Sequence, residues 1–169
     1  MSRIQIVWVA FVVGAIGCNN VTPPADPPVV VDATPYKLAA EPAGAKGVIA
    51  ARTDTKDGDP IVVVGRVGGA SKPFTAARAT FLIVDPSLKP AVGCKCPWDY
   101  CETPDEEVKA ATATVKVVDD AGKTLPAGAK DLFGIKELTT VVVTGTAKRD
   151  KEGNFTVLAR GLYVRPDQP

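Results

Sequence analysis

Histidine is missing from all 169 residues of this chain. Its absence removes the commonest general base and the commonest metal ligand. It also excludes the Ser-His-Asp and Cys-His arrangements of nucleophilic catalysis. A binding or structural role is therefore expected, and an enzymatic one is not. Aromatic residues are scarce as well: Phe, Trp and Tyr make up 6% of the chain. No charge of either sign dominates, with 20 Lys+Arg against 19 Asp+Glu, and loss of Arg3 with a leader would make the remainder formally neutral. Single-strand binding needs stacking aromatics in a positive groove, and duplex binding needs a basic face. Nucleic acid is therefore not an expected partner. No apolar run approaches the ~20 residues that a membrane-spanning helix requires.

What is present begins at the N-terminus. Met1-Ser2-Arg3 carries one positive charge, and Ile4 to Val13 is apolar apart from Gln5. Gly14-Ala15-Ile16-Gly17-Cys18 follows, then Asn19-Asn20. A basic start, a short apolar core and small residues before a processing point have the layout of a secretory signal peptide. Ala15-Ile16-Gly17-Cys18 resembles the lipobox of bacterial lipoproteins, with Ala15 where that motif usually has Leu. The resemblance implies cleavage before Cys18, acylation of its thiol with palmitate-type chains, and anchorage to a membrane of the bacterial cell envelope, facing the periplasm. The expected division is a signal peptide at 1–17, a lipidated Cys18 with a Pro-rich tether at 18–40, and a β domain at 41–169. Five prolines between residues 19 and 35 favour an extended segment over packed structure.

Within the domain, Ala43 to Arg52 is the first expected helix, ended by the Thr53–Pro60 stretch. Five strands are expected after it. Ile61–Val67 is rich in β-branched residues, and Thr80–Asp85 is short and apolar. Ala111–Val118 alternates, placing Thr112, Thr114 and Lys116 on one face and Ala113, Val115 and Val117 on the other. Thr139–Ala147 and Asn154–Val164 flank the charged stretch Lys148–Gly153, which predicts a hairpin. Between the third and fourth strands, Leu132, Phe133, Ile135 and Leu138 would form the apolar face of a short helix. Asp105-Glu106-Glu107 reads as a solvated acidic loop that could assist a cation, and it would also suit the first turn of another short helix.

Three strands, a short helix and two strands is the element order of an OB-fold. Ile61-Val62-Val63-Val64-Gly65 and Val141-Val142-Val143-Thr144-Gly145 resemble the two Val-rich, Gly-ended strands of small bacterial OB-fold domains, periplasmic ones among them. The expectation is an all-β domain, a five-stranded OB-like small barrel with one or two short helices, over roughly residues 60–166. In such domains the glycines mark sharp strand bends. Arg66, Lys148, Arg149, Arg160 and Arg165 lie on or near these strands, where such a barrel would gather them on a binding face.

The densest chemistry is in Gly93-Cys94-Lys95-Cys96-Pro97-Trp98-Asp99-Tyr100-Cys101-Glu102. Three readings stand open. In an oxidising compartment Cys94 or Cys96 would bridge to Cys101 and close a small loop. Alternatively, Cys94, Cys96 and Cys101 would hold a soft metal ion, Zn or Cu, with Asp99, Glu102 or water as the fourth ligand. In the third, an exposed disulfide with a neighbouring thiol would exchange electrons, helped by Lys95. Trp98 and Tyr100 would either contact a small-molecule or protein ligand or fold down over the cysteines. The combined expectation is a lipid-anchored envelope protein with a non-catalytic binding domain. A metal-binding module is its alternative, and a thiol redox accessory a more distant one.

Overall fold

The computed structural model describes residues 30–166. The expected leader, Cys18 and most of the expected tether lie outside the described residues. The elements are β1 (Lys46–Gly47), α1 (Val48–Asp54), β2 (Pro60–Val67), β3 (Thr80–Val84), α2 (Asp105–Ala110), β4 (Thr112–Val117), α3 (Ala129–Phe133), β5 (Thr140–Arg149) and β6 (Phe155–Val164). Single 3-10 turns span Thr34–Tyr36 and Pro97–Asp99.

Six strands form one mixed sheet in the order β1-β2-β3-β4-β6-β5, and β5 also pairs with β2. β4 and β6 run parallel, β1 and β2 likewise, and the other pairs are antiparallel. The five longer strands fall where the β-branched runs predict them, and the hairpin joins β5 to β6. The sixth, β1, is an addition. Lys46 and Gly47 pair with Val63 and Val64, which takes them out of the expected helix over 43–52. α1 consequently starts at Val48 and runs on to Asp54. Gly44, with φ of 76°, sits in a turn outside it.

The core is built from alternation. On β4, Ala113, Val115 and Val117 are buried, whereas Thr112, Thr114 and Lys116 are half-buried on the other face. Phe81 and Ile83 of β3, Val141 and Val143 of β5, and Phe155, Val157 and Ala159 of β6 point into the same cluster. α3 adds Leu132 and Phe133, and Ile135 follows beyond its end, while Leu138 lies in the turn at φ 67° instead of extending the helical face. Ala33 also belongs to this core, and Leu38 N–H donates to Leu162 O at 2.9 Å, so chain expected within the tether packs against the domain.

Two strand glycines permit close approach. A Cβ on Gly65 would lie 2.8 Å from Ile83 Cβ. At Gly145 a Cβ would meet the Leu158 carbonyl, and the β5–β6 register shifts between Thr144 and Gly145. A side chain at either position would prevent that close approach.

Candidate ligand groove on the sheet face

The outer face of β3, β4 and β6 forms the floor of a groove of about 760 Å³. Register sets the floor: Leu82 pairs with Thr114, and Thr114 pairs with Thr156, so these three side chains form one row across three strands. Thr112 and Lys116 stand two residues to either side of Thr114 on the same face of β4. Alternation puts them there because their neighbours Ala113, Val115 and Val117 fill the core.

One wall is the cysteine loop with α2. Cys94 and Cys101 form a disulfide. The loop docks through backbone groups: Gly69 N–H donates to Trp98 O at 2.8 Å, and Ala91 N–H donates to Pro97 O at 3.1 Å. A Cβ on Gly68 would lie 2.6 Å from Trp98 O, so glycine permits the approach. The Trp98 indole N–H donates to Ser71 O at 3.3 Å. Tyr100 adopts the left-handed conformation, φ 59°, and turns its ring inward. At 1% exposure it fills a second cluster with Val84, Leu88, Val108 and Ala111. Tyr100 thus covers the loop from inside while still contributing to the groove lining. Trp98 is half-buried and is not among the lining residues.

Cys96 is the free thiol of this loop and is half-buried. Two of the three sulfurs expected to share a soft metal ion are therefore bonded to each other here. Among the described residues no group of three or more His, Cys, Asp or Glu side chains is placed to hold a metal ion.

The opposite wall comes from α1 and the β5–β6 turn. Arg52 donates to Gly153 O at 3.0 Å, Thr112 O at 2.6 Å and Lys109 O at 3.3 Å. Its guanidinium carbon lies 5.6 Å from the Phe155 ring centroid, and that of Arg149 lies 5.1 Å from it. Burial, and then the charge of Arg149, push the Arg52 pKa below its ordinary value. In the turn, the Asp150 carboxylate accepts from Asn154 Nδ2 at 2.7 Å and from Asn154 N–H at 2.8 Å, which lowers the pKa of Asp150.

The lining is thus rich in both donors and acceptors. It carries Arg52, Lys109 and Lys116, the acids Asp99, Asp105 and Asp150, and the neutral polar groups of Thr112, Thr114, Asn154 and Thr156. None of the three cations forms an ion pair among the described residues; the five salt bridges there all involve other Lys and Arg residues. Groups of this kind can bind and orient a polar ligand.

Sequence reasoning located the Thr112-Thr114-Lys116 face and the cysteine loop that walls it. It missed Arg52, Lys109 and Asn154, which reach the site from three separate elements and carry no local signal. The basic residues expected to share a binding face are dispersed. Arg160 pairs with Asp120 at 2.7 Å, Arg165 with Glu41 and Lys148 with Asp57. Arg66 donates to Leu88 O at 3.1 Å, Arg149 donates to the carbonyls of Arg52 and Thr55, and none of the five lines the groove.

No family model matches the chain, and no curated protein does. One similar solved structure is a protein from Leishmania major Friedlin described as an aspartyl-tRNA synthetase, with a TM-score of 0.43 and 9% identity over 80% of this chain. The chain spans 24% of that protein, and at this TM-score the likeness carries no argument about function.

Proposed function

We propose that this chain is a lipid-anchored protein of the bacterial cell envelope whose β domain binds a polar ligand without transforming it. The carrying observation is the groove of about 760 Å³ on the outer face of β3, β4 and β6, lined by convergent polar side chains and walled by a disulfide-bonded loop. Its volume lies within the usual range of ligand sites. The disulfide fits an oxidising compartment, and the leader ending at Cys18 fits export and acylation.

The domain is read as an OB-like barrel of five strands. In support, strand pairing runs from β2 through β3, β4, β6 and β5 and returns to β2, and β4 and β6 are parallel. The strand glycines Gly65 and Gly145 lie on the two strands that make the returning pair. The absence of histidine supports a binding role over acid–base catalysis.

Metabolic labelling with a palmitate analogue, followed by fractionation, tests the anchor. The wild-type chain should take up label and sediment with the envelope, and Cys18→Ser should lose both properties. An unlabelled cytosolic protein with its leader intact would refute the proposal.

A further inference from the structure

We infer that the groove recognises an acidic oligosaccharide, with anionic groups held near Lys109 and Lys116 and sugar hydroxyls lying along Thr114, Thr156 and Asn154. This rests on the ligand-binding reading above and names the chemistry of that site.

The first argument is the distribution of unpaired charge. Lys109, Lys116 and Arg52 line the groove, and none has a carboxylate partner among the described residues. They are spread along the face. Arg52 binds the carbonyls of Lys109 and Thr112, which places this cationic group at the start of β4. Lys116 stands four residues further along the strand, about 13 Å away at the rise of a β-strand. Positive charge at both ends of a hydroxyl-bearing row suits an extended ligand with repeated negative charge better than a single small ion. Three carboxylates share the lining: Asp150, which its Asn154 hydrogen bonds keep ionised beside the β5–β6 turn, and Asp99 and Asp105 toward the disulfide wall, where they would accept hydrogen bonds from sugar hydroxyls.

The second argument is unsatisfied polarity. Among the described residues, the buried side-chain polar atoms without a hydrogen-bond partner are Arg52 Nε and Tyr100 Oη. Both belong to residues lining this groove, on opposite walls. Buried orphan groups are uncommon in folded proteins, and a ligand or ordered water is a usual partner for them. Both atoms can donate but lie beneath the groove surface, so a bound acceptor would reach them only after a side-chain shift.

Other polyanions fit less well. The aromatic rings at the groove, Tyr100 and Phe155, are each 1% exposed and offer no face on which a base could stack. An acidic peptide would bind best by adding a strand, yet β3, β4 and β6 each already pair on both sides. What lines the groove is a row of hydroxyl and amide groups with both ammonium and carboxylate groups around it, which suits a sugar chain.

The test uses the full-length protein purified in detergent, with calorimetric titration at low salt. The probes are a short oligogalacturonate, a phosphorylated mannan fragment, a neutral maltooligosaccharide, oligothymidylate and polyglutamate. One or both acidic glycans should bind, the pair identifying the anion as carboxylate or phosphate. Lys116→Ala and the near-isosteric Thr156→Val should each weaken binding about tenfold with an unchanged unfolding midpoint, and Lys123→Ala, away from the groove, should leave it unaltered. The inference is overturned if neither acidic glycan binds, if the groove variants bind like wild type, or if a neutral glycan, oligothymidylate or polyglutamate binds as tightly. Acylation at Cys18 is read separately, so a labelled, envelope-bound protein that ignores acidic glycans refutes this inference alone.

Discussion

The Asp85 carboxylate, just past the end of β3, accepts the backbone N–H of Ile49 in the first turn of α1 at 2.9 Å, across 36 residues of sequence. The helix has no side-chain cap of its own, because its N-cap residue is Gly47. A Cβ on Gly47 would collide with that same carboxylate. Asp85 also accepts from Ser87 N–H at 2.9 Å and is 6% exposed, so one buried carboxylate orders both the helix start and the turn after β3.

Burial of Asp85 acts to raise its pKa, but the amides of Ile49 and Ser87 outweigh that and hold it below the ordinary carboxylate value. A carboxyl with a depressed folded pKa adds stability above its unfolded pKa and loses it as pH falls through the folded pKa. Asp85→Asn should therefore cost about 1–2 kcal/mol near neutral pH. The deficit should shrink in acid, as pH falls through the lowered folded pKa and the wild-type carboxyl also becomes protonated. Urea unfolding near neutral pH and in acid checks this; an equal deficit at both would show that the charge is not what matters.

Arg52 ties α1 to the end of α2, the start of β4 and the β5–β6 turn through three backbone carbonyls. Arg52→Met keeps a long apolar stem over Phe155 but leaves those acceptors without their donor. A loss of about 1–3 kcal/mol is expected. Arg52→Lys should recover only part of it, because an ammonium lacks the planar fork. Denaturant midpoints for the two variants measure the difference, and full recovery by lysine would contradict the role of the fork.

Gly145→Ala places a methyl group against the Leu158 carbonyl at the β5–β6 bulge. Backbone on both sides leaves little room to relax, so a cost of about 2–3 kcal/mol is expected. Gly153→Ala is an informative contrast: a Cβ there meets nothing within 4 Å, and its φ of 80° is the source of strain. Its cost should stay near 1 kcal/mol, the usual penalty for left-handed backbone at a non-glycine residue. Thermal unfolding should therefore rank Gly145→Ala well below Gly153→Ala.

The Cys94–Cys101 bridge closes a short loop, with a sequence separation of 7. Chain entropy alone gives such a cross-link about 2.5 kcal/mol. Cys101→Ser should lower stability by up to that amount and loosen the groove wall that carries Asp99 and Tyr100. Alkylation of unreduced protein, read by mass spectrometry, should modify Cys96 alone among residues 94, 96 and 101. Modification of all three would remove the bridge from the account.

Several features were legible because they depend on near neighbours. Alternation along Thr112–Val117 identified both the core side and the groove side of β4, and the β-branched runs located five strands. The charged stretch before Asn154 marked the hairpin. Other features were not legible. Helix period and turn residues predict a helix from Ala43, but pairing of Lys46 and Gly47 with β2 releases more than that segment's weak helical preference, and the helix begins later. For the Tyr100 ring, local sequence leaves ligand contact and inward folding both open, and Val84, Leu88, Val108 and Ala111, closing around it, decide for the second.

Composition and pattern by themselves set the broad chemistry of this protein: a β-rich domain without imidazole and with balanced charge, and an apolar N-terminal run followed by Cys18. Tertiary structure alone decided which groups meet. Side-chain alternation is a property of one strand, whereas Arg52, Lys109, Thr114 and Asn154 converge only because β4 pairs with β6 and α1 packs across their ends. That convergence follows from long-range register and burial, and no single stretch of the chain encodes it.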